Sequence, residues 1–187
     1  MGRVGSEVQK GEVLGKGDMI YVTVGAGIGG QEFDRLIKQV DNIASHFKEE
    51  FIVQLGASQY IPQNIKWFDY VTYDESLEYF QKAQLVIGHC GAGTIINALS
   101  FSKPLIVIPR LLKFNEHADD HQLEMAALLE QSQIARVVYD VEDLEFVIRN
   151  TLEQFHDSEK DFSSINRRNL INEMREFLAN MEKGGRR

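Results

Sequence analysis

Leu85-Val86-Ile87-Gly88-His89-Cys90-Gly91-Ala92-Gly93-Thr94 joins a short apolar, β-branched run to a glycine-rich turn. Beyond it the pattern reads as a helix over 94–101 and a second apolar run over 104–108. Strand, tight turn, helix and strand in that order make a βαβ unit, which requires a parallel sheet. Upstream, Met19-Ile20-Tyr21-Val22-Thr23-Val24 is a strand of the same kind, apolar on both faces and ended by glycines. Phe33, Leu36, Ile37, Val40, Ile43, Ala44 and Phe47 recur every three or four positions and predict an amphipathic helix over 32–47. A strand over 51–55, a loop over 56–66, a short strand over 67–71 and a helix over 76–83 complete the first half. Downstream the alternation continues with a helix over 118–130, a strand over 134–138 and a helix over 141–155. Continuous Val/Ile/Leu strands alternating with helices predict an α/β, Rossmann-like parallel sheet with helices on both faces.

The chain has 187 residues, 43% of them hydrophobic, enough for one globular domain with a real core. Residues 1–18 carry Gly2, Gly5, Gly11, Gly15 and Gly17 with little to pack, and read as a flexible extension ahead of a domain over 19–155. Residues 156–182 read as a polar linker and a C-terminal amphipathic helix built on Ile165, Ile171, Met174, Phe177, Leu178 and Met181; 183–187 is a tail. That helix either packs on its own sheet or docks a second protein through its Met- and Phe-rich face. No apolar run approaches the length needed to span a bilayer. The balance of 20 Lys and Arg against 28 Asp and Glu gives a formal charge of −8, which argues against a generic nucleic-acid binder. A single cysteine, Cys90, and no charged-then-apolar leader predict a reducing, cytoplasmic setting.

In open parallel sheets ligands bind beyond the carboxyl ends of the strands, and three segments there are unusual. Gly25-Ala26-Gly27-Ile28-Gly29-Gly30 satisfies the GxGxxG spacing between a strand and a helix. A nicotinamide site also wants an acidic residue after the second strand, which ends instead in Gln54-Leu55-Gly56. Gly25, Gly27, Gly29 and Gly30 therefore read as a turn or a loop that lets a ligand or another backbone approach. The second segment, His89 to Thr94, strips side chains from a helix start and so suits a diphosphate; Thr94 is placed to cap the helix and His89 to donate to a phosphate oxygen. The third is Pro109-Arg110 with Asn115-Glu116-His117-Ala118-Asp119-Asp120-His121-Gln122. Asp119 and Asp120 suit a first helical turn, His117 and His121 fall at i and i+4 on one helical face, and Glu116, Asp119 and Gln122 suit sugar hydroxyls. HxxxH without a third ligand at familiar spacing does not predict a metal.

The second and third segments in this order, with the opening Ile20-Tyr21-Val22-Thr23-Val24-Gly25, the Gln54-Leu55-Gly56 run, Ser58, Tyr60 and Lys103-Pro104-Leu105-Ile106-Val107-Ile108-Pro109-Arg110, resemble the donor-binding C-terminal domain of MurG-type GT-B glycosyltransferases. Within that type the chain looks most like the stand-alone subunits: the PssE-like proteins of exopolysaccharide synthesis and the soluble subunit of the two-part dolichol-pathway UDP-GlcNAc transferase. The resemblance implies that His89, Gly91, Ala92, Gly93 and Thr94 receive the diphosphate of a UDP-sugar and that Asn97 faces the ribose. It places Asp119, Asp120, His121 and Gln122 by the sugar, with Arg110, Glu116 and His117 in the loop beside the donor. Asn97 departs from the family, which has a glutamate there, and an amide lacks the charge-assisted strength of a carboxylate. Transfer in this family inverts the anomeric carbon, and the resemblance implies no metal and no cofactor. The catalytic base is expected on a partner, with His117 the one candidate in this chain.

The partner so implied is a membrane-anchored subunit, PssD-like or from the dolichol pathway, that presents a lipid-linked glycan acceptor. The chain would then be cytoplasmic and peripheral to the membrane, meeting its partner through the Gly25–Gly30 loop and the C-terminal helix; self-association through the same surface stays open. Two other readings stay open on the sequence: a non-catalytic stabiliser of a partner glycosyltransferase, and a nicotinamide-dependent oxidoreductase.

Overall fold

The structure, a computed structural model, describes residues 19–25 and 31–157. Six strands form one sheet: β1 (Met19–Thr23), β2 (Glu50–Gln54), β3 (Lys66–Phe68), β4 (Leu85–His89), β5 (Leu105–Ile108) and β6 (Arg136–Val137). Their order is β3-β2-β1-β4-β5-β6 and every neighbouring pair is parallel. The chain builds outward from β1 to β3, crosses back to lay β4 on the other side of β1, and continues to β6. Val22 in β1 pairs with Val53 on one side and Ile87 on the other. The strand order therefore reverses between β1 and β4, where their carboxyl ends open a crevice.

Both faces of the sheet are covered, as the unbroken apolar strands predict. Ile20 and Val22 point to one face, where they meet Leu36, Ile37 and Val40 of α1 (Asp34–Ile43) and Leu144, Ile148 and Leu152 of α5 (Leu144–Asp157). Met19 and Tyr21 point to the other. There they join Phe80 of α2 (Tyr73–Lys82), Ile95 and Ala98 of α3 (Ala92–Ser100), and Met125 and Leu129 of α4 (His121–Gln131). The loop after β2 is tied to α1 by Asp41, whose buried carboxylate accepts from the Tyr60 hydroxyl at 2.7 Å and the Asn64 amide at 2.7 Å.

Several boundaries differ from the sequence reading. The 32–47 helix is shorter, and its last turn tightens into a 3-10 turn, Ala44–His46. The third strand stops at Phe68 and α2 starts early, because Thr72 and Glu75 form a reciprocal capping box. The helix expected from residue 118 starts at His121, since the chain first makes a 3-10 turn, Leu112–Phe114, and passes through a left-handed Asn115. The last helix is preceded by a 3-10 turn, Val141–Asp143, and runs through Asp157, two residues past its expected end. Residues 1–18, the 158–182 part of the C-terminal linker and helix, and the 183–187 tail lie outside the described residues. Among the described residues no helix is long and apolar enough to cross a membrane.

Candidate functional site

At the crevice between β1 and β4, three chain segments meet beneath the start of α3. β1 leads through Val24 to Gly25, whose φ of 77° is the left-handed conformation that favours glycine. The Gly25 amide donates to the Thr23 hydroxyl at 3.1 Å, and that hydroxyl donates to Gln54 Oε1 at 2.7 Å. Gln54 at the end of β2 is buried and engaged, so no carboxylate stands where a dinucleotide ribose would need one. Gly27, Gly29 and Gly30 lie outside the described residues.

His89 ends β4 and its ring fills the space between two glycines. A Cβ at Gly91 would stand 2.1 Å from His89 Nε2, and one at Gly25 would stand 2.6 Å from Cε1. Both glycines are thus required by the histidine as packing. Burial, and then the positive charge of Arg110, push the His89 pKa down to about 3, against a backbone hydrogen bond with Thr23 that raises it; the imidazole is neutral at pH 7. Its Nδ1 is enclosed and has no partner among the described residues.

Gly91 is the N-cap of α3, with no side chain bonded to the cap and no acidic residue in the first turn. Thr94 corrects an expectation. It does not cap the helix; it is buried in the first turn, where its methyl would lie 2.7 Å from a Cβ at Gly88, so it seats the helix close to β4. Gly93 behaves differently from its neighbours. It is exposed, and a Cβ there would meet nothing within 4 Å, so nothing in the described chain needs a glycine at that point. The first-turn amides and the positive end of the helix dipole face outward past it, and that arrangement binds anions. Asn97, one turn along α3, accepts from the Tyr73 hydroxyl at 3.3 Å.

Arg110, just past β5, is the frame of the site. Its guanidinium donates to the carbonyls of Val24 at 2.9 Å, Gln31 at 3.0 Å and Glu116 at 3.2 Å, and it lies over the Phe33 ring. It therefore ties the end of β1 and the lead-in of α1 to the loop after β5, and it carries positive charge beneath the crevice. Glu116 is buried with its carboxylate saturated: Arg35 grips it at 3.0 and 2.9 Å, and the Leu111 amide donates to it at 3.1 Å. Gln122 Oε1 accepts from the Arg110 amide at 3.0 Å. Arg35 carries no motif, and its partner lies 81 positions away, so no sequence pattern pointed to it.

The expected i, i+4 histidine pair on one helical face is also corrected. His117 lies in the loop ahead of α4, and His121 is that helix's first residue. They meet nonetheless: their rings form an edge-to-face pair with centroids 4.5 Å apart, and both Nδ1 atoms face the Asp119 carboxylate. Asp119 and Asp120 precede the helix instead of occupying its first turn, and Asp120 Oδ1 accepts from the Leu112 amide at 2.9 Å. Beside this loop, Gln31, Glu32, Asp34, Arg35, Phe114 and Glu116 line an open cleft of about 620 Å³. Chemically, the crevice offers amide donors, one neutral imidazole and a buried positive charge to an anionic group, and polar side chains to a hydroxyl-rich one.

Comparison with known proteins identifies the family and the fold. A family model described as the glycosyltransferase family 28 C-terminal domain matches residues 19–179. The human UDP-N-acetylglucosamine transferase subunit ALG13 is 35% identical over 122 residues, 59% of this chain and 10% of that protein. A Thermosipho melanesiensis UDP-N-acetylglucosamine–N-acetylmuramyl-(pentapeptide) pyrophosphoryl-undecaprenol N-acetylglucosamine transferase is 29% identical over 124 residues, 65% of this chain and 35% of that enzyme. The chain thus spans about a third or less of the length of these relatives. In fold it is similar to crystalline Acinetobacter baumannii MurG, with a TM-score of 0.53 at 16% identity over 75% of this chain and 43% of that one.

Proposed function

This chain belongs to the glycosyltransferase family 28 C-terminal domain family, and from that premise we propose that it is the donor-binding subunit of a two-part inverting glycosyltransferase. Its fold is the Rossmann-like half of a GT-B enzyme. The observation that carries the reading is Gly93, a glycine the fold does not need, at the bare amino end of α3 in the switch-point crevice. The donor is a UDP-sugar, with UDP-GlcNAc first because both relatives are named for it. The acceptor is a polyprenyl-linked glycan, as the name of the Thermosipho enzyme suggests.

In this reading the amides of Ala92, Gly93 and Thr94 hold the diphosphate, with neutral His89 beneath and Arg110 adding charge from below. Asn97 meets the ribose. Asp119, His121 and the amide nitrogen of Gln122 meet the sugar hydroxyls, while Glu116 and Arg110 keep the loop in place. The acceptor hydroxyl attacks the anomeric carbon, the bond to the UDP oxygen breaks with inversion, and the helix amides take up the charge growing on the diphosphate. No step requires a metal. The acceptor's proton passes to a base on the partner, a membrane-anchored subunit that also binds the lipid-linked acceptor, so this chain works at the cytoplasmic face of a membrane.

A transfer assay with purified chains tests this. GlcNAc from labelled UDP-GlcNAc should reach a polyprenyl-diphosphate-linked acceptor only when this chain and its membrane partner are mixed, in the presence of EDTA. Transfer that continues at full rate with Gly93→Val would instead favour a non-catalytic stabiliser, a reading that the amide at Asn97 supports. No transfer from any UDP-sugar would contradict both.

A further inference from the structure

We propose that His117, Asp119 and His121 form a Zn²⁺ site. The three side chains stand at alternate positions just ahead of and at the start of α4, and one donor atom from each lies within 4.8 Å of the others. His117 Nδ1 is 3.2 Å from Asp119 Oδ1, and His121 Nδ1 contacts the same oxygen. Donor atoms of a tetrahedral zinc, bound at about 2.0–2.2 Å, stand roughly 3.3–3.6 Å from one another. The His117–Asp119 pair already has that spacing, while the direct His121–Asp119 contact opens and the two imidazoles draw in to admit the ion between all three. Two imidazoles with one carboxylate select zinc over calcium or magnesium, which prefer oxygen ligands. Three protein ligands leave a fourth position for water.

The surrounding bonds hold this loop ready. The Asp120 carboxylate accepts from the Leu112 amide at 2.9 Å, the His121 amide donates to Asp119 Oδ1 at 3.2 Å, and Arg35 clamps Glu116 on the other side of the trio. Preorganisation of this kind lowers the cost of gathering ligands. An ion can reach the site from solvent, since the Asp119 and His121 side chains are 60% and 42% exposed. The ion has no part in the transfer step proposed above, although the two readings share side chains. One consequence rests on the donor reading: because that reading puts Asp119 and His121 beside the sugar, zinc and donor exclude one another.

The test is a zinc titration of the untagged full chain against a chromophoric chelator, without nucleotide. One ion per chain should bind with a Kd on the order of 10 μM or tighter. His121→Ala and Asp119→Ala should each weaken it at least tenfold, while His46→Ala, which removes a histidine paired with Glu145 elsewhere on the surface, should not. Zinc should also raise the melting temperature of the wild type but not of the two site variants, both checked for native circular dichroism. No uptake at about ten times that concentration, undiminished uptake in both site variants, or equal loss in His46→Ala overturns the proposal. Failure here leaves the donor reading standing, and failure of UDP-sugar binding in EDTA leaves the zinc site standing. Once donor binding is established in EDTA, an unchanged UDP-GlcNAc affinity in the zinc-loaded chain overturns the shared side chains.

Discussion

Two glycines at the start of α3 carry two different meanings, and single substitutions separate them. Gly91 is fixed by packing, because any side chain there collides with the His89 ring. Gly91→Ala should cost about 1–3 kcal/mol of stability, read as a lower midpoint in urea unfolding. Gly93 has open space above it, so Gly93→Val should leave stability within about 0.5 kcal/mol, valine and glycine differing little in helix propensity near a helix end. His89 adds a pH signature. An unfolded imidazole takes its proton near about pH 6.5, while the native ring stays neutral down to about 3. Between those values the unfolded chain binds the extra proton, so this contribution is complete above pH 6.5 and is lost as the pH falls toward 3. Unfolding free energy should therefore drop on the order of 2–3 kcal/mol more between pH 7 and pH 4 in the wild type than in His89→Asn. Equal slopes would show that the ring is not held neutral.

At the scale of elements, the sheet and its helices were legible because strand and helix periodicities are local. The β1 and β4 runs, the α1 face and the glycine turn before α3 could each be read within a window of a dozen residues. What failed was the lead-in to α4, where the i, i+4 spacing of His117 and His121 suggested a helix that the structure begins only at His121. The cause is non-local: Arg35, on α1, holds Glu116, and Asp120 holds the Leu112 amide, so the backbone there serves loop bonds ahead of helical ones. The Thr72–Glu75 capping box, by contrast, is a local signal, and it starts α2 ahead of the expected residue 76. The clasp should be strongly coupled to the fold. Glu116→Ala removes the ion pair of Arg35, which keeps the Pro109 carbonyl, and frees the Leu111 amide; it should destabilise the chain by about 2–4 kcal/mol, whereas Thr72→Ala should cost only about 1 kcal/mol. Thermal denaturation of the two variants side by side checks the ranking.

For the whole molecule, the crevice gathers residues that are far apart in the chain. Gly25 lies against His89, and Arg110 reaches both Val24 and Gln31. Motif order made the segments visible in the sequence, but only folding shows which groups frame the site and which face outward. Arg110 and Glu116 turn inward, while the first turn of α3 stays bare. The central claim is that this bare turn holds the diphosphate of a UDP-sugar without a metal. Calorimetric titration of the chain with UDP-GlcNAc and UDP in EDTA, wild type beside Gly93→Val, tests it most directly. Wild type should bind in the micromolar to millimolar range and Gly93→Val, at unchanged stability, at least tenfold more weakly; equal binding by both, or none by the wild type, would refute a diphosphate site at this turn.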